Sequence, residues 1–310
     1  MPIHNPREEY GKVLLELARG NSKIFALDAD LCKSTMTCMI EEELPDQYIE
    51  MGIAEQNMLS VAAGLSLTGK IPFVNSFAVF LTGRAFDQIR QAICLSSLNV
   101  KIIGSSAGFS DFGDGSTHQT VEDISIMRSI PNMAVIAPCD AFQLRATVKA
   151  MVDHEGPVYM RYSRNNMVSL TLENDNFEIG KVYTMREGND ITVFAIGIMV
   201  EKALNVAKKL KNQGISVRVV NVPTIKPLNR DAIIELSKDT GKVLTTEEHS
   251  IIGGLGSSIA EVLRNERVYI EFHGVNDEYG QSSNELQPLL KHYGLTEDML
   301  ETKIVEILNK

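Results

Sequence analysis

Apolar runs without polar alternation, each flanked by stretches of helical spacing, recur through the first half of the chain and constrain its fold more than any other feature. "KIFALDAD" stays apolar until Asp28, which suits a strand buried on both faces of a parallel sheet. Functional residues are then expected at its C-terminal end. Before it, "NPREEYGKVLLELARG" reads as a helix over residues 5 to 20, with Asn5 as cap, Pro6 at the first helical position, Glu8 closing a capping box and Gly20 as terminator. The rhythm repeats: "EQNMLSVAAGLSLTG", "GRAFDQIRQAICLSSL", "TVEDISIMRSI" and "DAFQLRATVKAMVDH" as helices, with "IPFVNSF", "VKIIGS", "MAVIAP" and "PVYMRYS" as strands between them. Alternation of this kind builds an α/β parallel-sheet domain.

Polar residues concentrate in "TLENDNFEIG" and "MREGND", which places the domain boundary there, with residues 1–180 as the first domain and 181–310 as the second. The second, smaller α/β unit begins with the strand "ITVFAIG" and the helix "VEKALNVAKKLKNQG", followed by the strands "SVRVVNV" and "KVLTTEE" and a helix opened by "GGLGSSIAEVL". Those glycines match a dinucleotide fingerprint only in part. The third glycine is missing, so a tight strand-to-helix turn is the expected role.

A net charge of -10 argues against a nucleic-acid partner or an anionic membrane surface, because phosphate binding needs clustered cations. No apolar run reaches the length of a membrane span, and "MPIHNPREEY" lacks a signal-peptide core, so the chain reads as cytoplasmic. Cys32, Cys38, Cys94 and Cys139 show no paired spacing and are expected to be reduced structural thiols. The six histidines are equally dispersed, and no metal ligands are assigned.

"FGDGSTHQ", residues 112–119, carries a Gly-Asp-Gly turn of the type that holds a metal-bound diphosphate when an asparagine follows about 25 to 30 residues later. Here Asn132 comes too early, and the diphosphate role is rejected. "YIEMGIAEQNM" places Glu55 at a helix start, where the dipole favours a carboxylate. Taken alone, Glu55 is equally a helix N-terminal residue and a catalyst. "VNSFAVFLTGRAFDQ" then supplies Phe77 and Phe80 as an aromatic pair assigned to the next strand, which without Glu55 reads equally as core.

Together these segments resemble the pyrimidine-binding domain of the transketolase family. The resemblance implies that Glu55 hydrogen-bonds the aminopyrimidine of thiamine diphosphate and so helps to activate the cofactor, with Phe80 stacked on that ring and Phe77 completing the wall. A carboxyl group that can share its proton with a ring nitrogen suits this role, and a glutamine does not. "DADLCKST" resembles the family loop carrying Asp30 near the cofactor's reactive end and Ser34 toward the substrate phosphate. Arg7 of "NPREEY" and Arg164 of "RYSRNNM" are similar to its phosphate-binding arginines. Guanidinium groups bind phosphate oxygens bidentately, so a clamp is expected.

The same resemblance makes "FGDGSTHQ" a substrate loop, with Asp114 and His118 facing the sugar and His118 able to shuttle protons. Ser106 stands where many of these enzymes carry a second histidine, which marks it as a substrate-site candidate. "TTEEHSIIGGLGSSIAEVL" is similar to the family's C-terminal domain. The expected protein is the C-terminal subunit of a split transketolase, pairing as α2β2 with a separate diphosphate-domain subunit. The divalent metal, Mg2+ or similar, would have its ligands on that partner. Phosphate-bearing sugars are the expected substrates. A 2-oxo-acid dehydrogenase beta subunit, a deoxyxylulose-phosphate-synthase-like chain and a non-catalytic scaffold remain as alternatives.

Overall fold

The computed structural model describes residues 2–310. In the first half, β1 (Ile3–His4), β2 (Ile24–Asp28), β3 (Tyr48–Glu50), β4 (Ile71–Phe77), β5 (Lys101–Ser105), β6 (Ala134–Ile136), β7 (Val158–Arg161) and β8 (Met167–Val168) alternate with helices. β1 and β8 form a short antiparallel pair of their own. β9 (Tyr183–Arg186), β10 (Ile191–Ala195), β11 (Val217–Asn221), β12 (Thr224–Lys226), β13 (Lys242–Ser250) and β14 (Tyr269–Val275) follow.

The first sheet has seven strands in the order β12-β6-β7-β5-β4-β2-β3, parallel except at β12. The second has five, β14-β13-β10-β11-β9, parallel except at β9. This is the expected α/β architecture, and β12, which comes from the second half of the chain, closes the edge of the first sheet.

Both faces of the first sheet are covered. Tyr10 and Leu14 of the first helix, Pro6–Gly20, pack with Leu144 and Val148 of Ala141–Asp153 on one face. On the other face Val74, Ile102 and Val135 belong to a core that continues without a break into Phe194, Val220 and Val262 of the second half. Each fully buried aliphatic or aromatic side chain in such a core stabilises by roughly 1.5–3 kcal/mol, so the two halves are joined by apolar burial as well as by chain.

Several local expectations are corrected. Asn5 does cap the first helix, accepting from the Arg7 N–H at 3.0 Å, but its amide bonds Asn166 and Glu8 stays exposed, so no capping box closes. Gly20 is the last helical residue and Asn21 the cap. Phe80 does not lie on the strand: β4 ends at Phe77, and Phe80–Arg84 is a widened, π-type helical turn. A second such turn spans Ile89–Cys94, with only Phe86–Gln88 in ordinary α geometry between them. The helix Arg230–Thr240, the strand β14 and the C-terminal helix Glu297–Leu308 are additions to the sequence reading.

Candidate active site

The C-terminal ends of β2, β3, β4, β5 and β7 open toward one side of the first sheet, where ligands of open α/β folds bind. After β3, the Gly52 N–H donates to Glu50 Oε1 at 2.7 Å, and with φ +65° Gly52 turns the chain into the helix Glu55–Leu67. Glu55 is the first residue of that helix and is only 1% exposed. Its two carboxylate oxygens accept from Arg84 Nη1 at 2.9 and 2.8 Å. The Arg84 guanidinium lies 4.7 Å from the centre of the Phe80 ring, a cation–π contact.

Phe77 and Phe80 stack at 5.8 Å with planes 15° apart. His118 approaches both edge-on, at 5.2 Å from Phe80 and 6.2 Å from Phe77. Its Nδ1 is paired with the Thr117 hydroxyl at 2.9 Å, and its Nε2 makes no hydrogen bond within the described residues. Phe77, Phe80 and His118, predicted from separate positions in the sequence, are therefore in mutual contact, and Arg84 links Glu55 to them, which forms the Glu55 hollow. Arg84 was not predicted. Its signal was its place four residues after Phe80 in a helical segment, where side chains meet.

A cleft of about 760 Å³ adjoins the loop of residues 112–119 and includes Arg7, Asp114 and Arg164 in its walls. Arg164 is held by an ion pair of 2.8 Å to Asp111, a second residue the sequence reading missed. Asp111 is buried, and burial pushes its carboxyl above the usual range while Arg164 pulls against the rise. Arg7 forms no ion pair among the described residues, and its Nε is buried without a partner. The cleft wall also holds the carboxylates of Asp111, Asp114 and Glu285, so with Arg164 paired to Asp111 it is Arg7 that offers a cation to an anionic group, beside amides able to pair with hydroxyls.

Asp30, Ser34 and Ser106 are not brought into this cleft. Asp30 is exposed on the loop after β2, at φ +60°, its N–H bonded to Glu50 Oε1 at 2.9 Å. Ser34 is half-buried on the short helix Cys32–Thr35. That loop is folded around Asp28, whose carboxylate accepts from Thr35 Oγ1 at 2.6 Å, Thr37 Oγ1 at 2.9 Å and the Leu31 N–H at 2.7 Å. Burial raises Asp28 to about 6 against those donors. Ser106 is buried, 1% exposed, at φ +55° immediately after β5.

A second polar group lies between the domains. Asp123 accepts from Tyr159 Oη at 2.6 Å and pairs with Arg161 at 3.2 Å. Glu248 Oε1 accepts the Phe109 N–H at 3.0 Å, and a Cβ on Gly108 would lie 2.4 Å from the Glu248 carboxyl carbon. Glu247 accepts the N–H groups of Leu255 and Gly256 at 2.6 and 2.8 Å. The "GLGSS" glycines therefore form a strand-to-helix turn, as expected, whose helix end receives a carboxylate of its own domain. Burial raises Glu247 and Glu248 to about 7 and lowers His249 to about 4. All four cysteines are free, Cys94 and Cys139 buried and the other two half-buried. Among the described residues no group of three His, Cys, Asp or Glu could hold a metal ion, and no helix is long and apolar enough to cross a membrane.

The sequence matches the family description "Transketolase, pyrimidine binding domain" over residues 5–168 and "Transketolase, C-terminal domain" over residues 180–300. The chain belongs to the transketolase family. Within that family it is 43% identical over 295 residues to a 6-deoxy-6-sulfo-D-fructose transketolase subunit of Clostridium sp., covering 94% of this chain and 91% of the other. It is 37% identical over 306 residues to an apulose-4-phosphate transketolase subunit of Phocaeicola vulgatus, covering 98% and 97%. A solved structure described as a split gene transketolase, inactive beta4 tetramer, superposes with a TM-score of 0.91 at 46% identity and 98% coverage of both chains. This transketolase-family chain is thus of beta-subunit type, the length of these subunits and not of a whole single-chain transketolase.

Proposed function

We propose that the chain supplies the pyrimidine side of a two-chain transketolase, which transfers a two-carbon ketol unit from a phosphorylated ketose to an aldose when paired with a diphosphate-binding subunit. The observation that carries this reading is the buried Glu55 carboxylate joined through Arg84 to the stacked Phe77 and Phe80, with His118 at their edge. The fit to thiamine diphosphate is good: a flat ring finds an aromatic wall in Phe80 and Phe77, and its ring nitrogen finds a carboxylate in Glu55. When bound, that cofactor supplies the carbon nucleophile for ketol cleavage. A divalent metal would be held by the partner subunit.

The residues of this chain have separable tasks. Glu55 holds the proton shared with the ring nitrogen, and Arg84, which bonds both its oxygens, must yield one of them. His118 Nε2 is the atom placed to move a proton at a sugar hydroxyl, with Nδ1 fixed by Thr117. Asp114 pairs with sugar hydroxyls, while Arg7 and Arg164 hold the anionic end. Relatives named for 6-deoxy-6-sulfo-D-fructose and apulose 4-phosphate support a sugar with such an end. Asp30 and Ser34 belong to the same reading as residues of the loop built on Asp28.

Reconstitution with an N-terminal transketolase subunit tests the assignment. The complex is expected to transfer ketol units, neither chain doing so alone. Oxidative decarboxylation of pyruvate in place of ketol transfer overturns the assignment in favour of a 2-oxo-acid dehydrogenase, and a Glu55→Ala complex within twofold of the native rate overturns it in favour of a scaffold.

A further inference from the structure

The segment Tyr279–Gln287 follows β14, the edge strand of the second sheet, yet it packs on the loop that carries Asp114 and His118. The Ser283 N–H donates to the Phe112 carbonyl at 2.8 Å. Gln119 spans the joint, its Nε2 donating to the carbonyls of Asp111 and Gln281, each at 3.1 Å. The contact is close enough to exclude side chains. A Cβ on Gly115 would lie 2.4 Å from Ser282 Oγ, and one on Gly280 would lie 1.9 Å from Gln119 Oε1. At Gly115 a φ of +75° excludes an L side chain on conformational grounds as well. Below the joint, Phe109 and Tyr293 stack at 4.3 Å, and the Tyr293 hydroxyl donates to the Tyr279 carbonyl at 2.7 Å.

This packing sets Glu285, Leu286 and Gln287 in the wall of the same cleft as Arg7 and Arg164. The charges there are unequal. Arg164 is already paired with Asp111, so Arg7 is the cation left to meet an incoming anion. Glu285 is exposed and forms no ion pair among the described residues. A carboxylate in that wall repels a doubly charged group about twice as strongly as a singly charged one, and the repulsion is screened by salt.

We propose that Glu285 and Gln287 are specificity-determining residues contributed by the second domain, which read the end of the sugar remote from the reacting carbonyl. Arg7 admits one anionic group. Glu285 penalises a second unit of charge on it, and the Gln287 amide pairs with a neighbouring hydroxyl. The ligand class is a hydroxylated chain ending in a single anionic group, with Glu285 holding the affinity for a dianionic phosphate below what Arg7 alone would give. This rests on reading the cleft as the sugar site.

Calorimetric titration of the full chain with ribose 5-phosphate and with ribose tests it, using the native protein, Glu285→Gln and Gln287→Ala. Both side chains are exposed, so the variants should melt as the native protein does. Glu285→Gln is expected to bind ribose 5-phosphate about threefold to tenfold more tightly at low salt, to lose that gain in added salt, and to leave ribose unchanged. Gln287→Ala is expected to weaken both ligands. Unchanged ribose 5-phosphate affinity in Glu285→Gln overturns the proposal, as does a native chain that binds neither sugar at millimolar concentration. In the reconstituted complex the same substitutions should alter KM and not kcat. A complex without ketol transfer whose titrations still shift as stated would sink the proposed activity and leave the readout by Glu285 standing.

Discussion

The hollow around Glu55 and the seam between the domains both bury carboxylates, but they balance them in opposite ways. Glu55 is 1% exposed while the side chain of its partner Arg84 is 46% exposed, so one member of the pair is in reach of water. In the seam, Asp123 and Arg161 are 0% and 7% exposed, and Glu247 is met by backbone N–H groups. A counter-charge open to solvent can be exchanged for a ligand at modest cost, whereas donors fixed in a helix end cannot move away. The hollow is built for substitution and the seam for permanence.

The largest effect that tests this contrast is catalytic. Glu55→Ala should lower ketol transfer of the reconstituted complex by about 10³-fold while leaving the melting temperature of the chain within a few degrees. A large loss of stability instead would place Glu55 with the seam. Next, Glu247→Ala should cost about 2–3 kcal/mol in chemical denaturation, because two buried N–H groups lose their acceptor. An unchanged midpoint would break the contrast from the other side.

The seam should also govern pH dependence. Glu247 and Glu248 lie near 7 in the fold against 4.5 ordinarily, so the stability linked to their protonated forms is full below about 4.5 and is lost as pH rises through about 7. Asp28, raised to about 6, acts in the same direction at lower pH. His249, lowered to about 4, opposes them, since its contribution is present above about 6.5 and is lost as pH falls through about 4. His273, lowered to about 4 by burial, acts with His249, and the three acids outweigh the two histidines, so the melting temperature falls between pH 5 and pH 7; above pH 7 the buried Lys101, lowered to about 7, turns the trend upward. Glu248→Gln should flatten that fall, by about 1–2 kcal/mol across the range. The smallest effect is at the aromatic wall: Phe80→Leu should weaken cofactor binding to the complex by about fivefold, near 1 kcal/mol, with an unchanged pH profile of stability.

Much of this was legible in residue order. Apolar runs such as "KIFALDAD" named buried parallel strands, and the strand ends then named the positions after which Glu55, Phe80 and Arg164 follow β3, β4 and β7. The widened turns around Phe80 were hidden because the sequence spacing there also fits an ordinary helix, and only packing selects the wider one. Asp28, Asp111, Glu247 and Glu248 were passed over for a different reason. An acidic residue is by default a surface residue, and nothing in one chain's sequence says which N–H or hydroxyl groups will surround it. Arg84 was within sight, yet its role depends on Glu55 arriving from 29 residues away.

β12 gives the molecule a property that neither sheet has by itself. This three-residue strand from beyond the linker covers the edge of β6, and Lys226 Nζ ties it further to the carbonyls of Arg128 and Ile130 at 3.0 and 2.6 Å. A chain cut at the linker would release the first half with the backbone of β6 unpaired, a template for strand-to-strand aggregation. The strand that seals the first sheet is thus supplied by the second half of the chain, and the two halves protect one another's backbone as well as sharing a core.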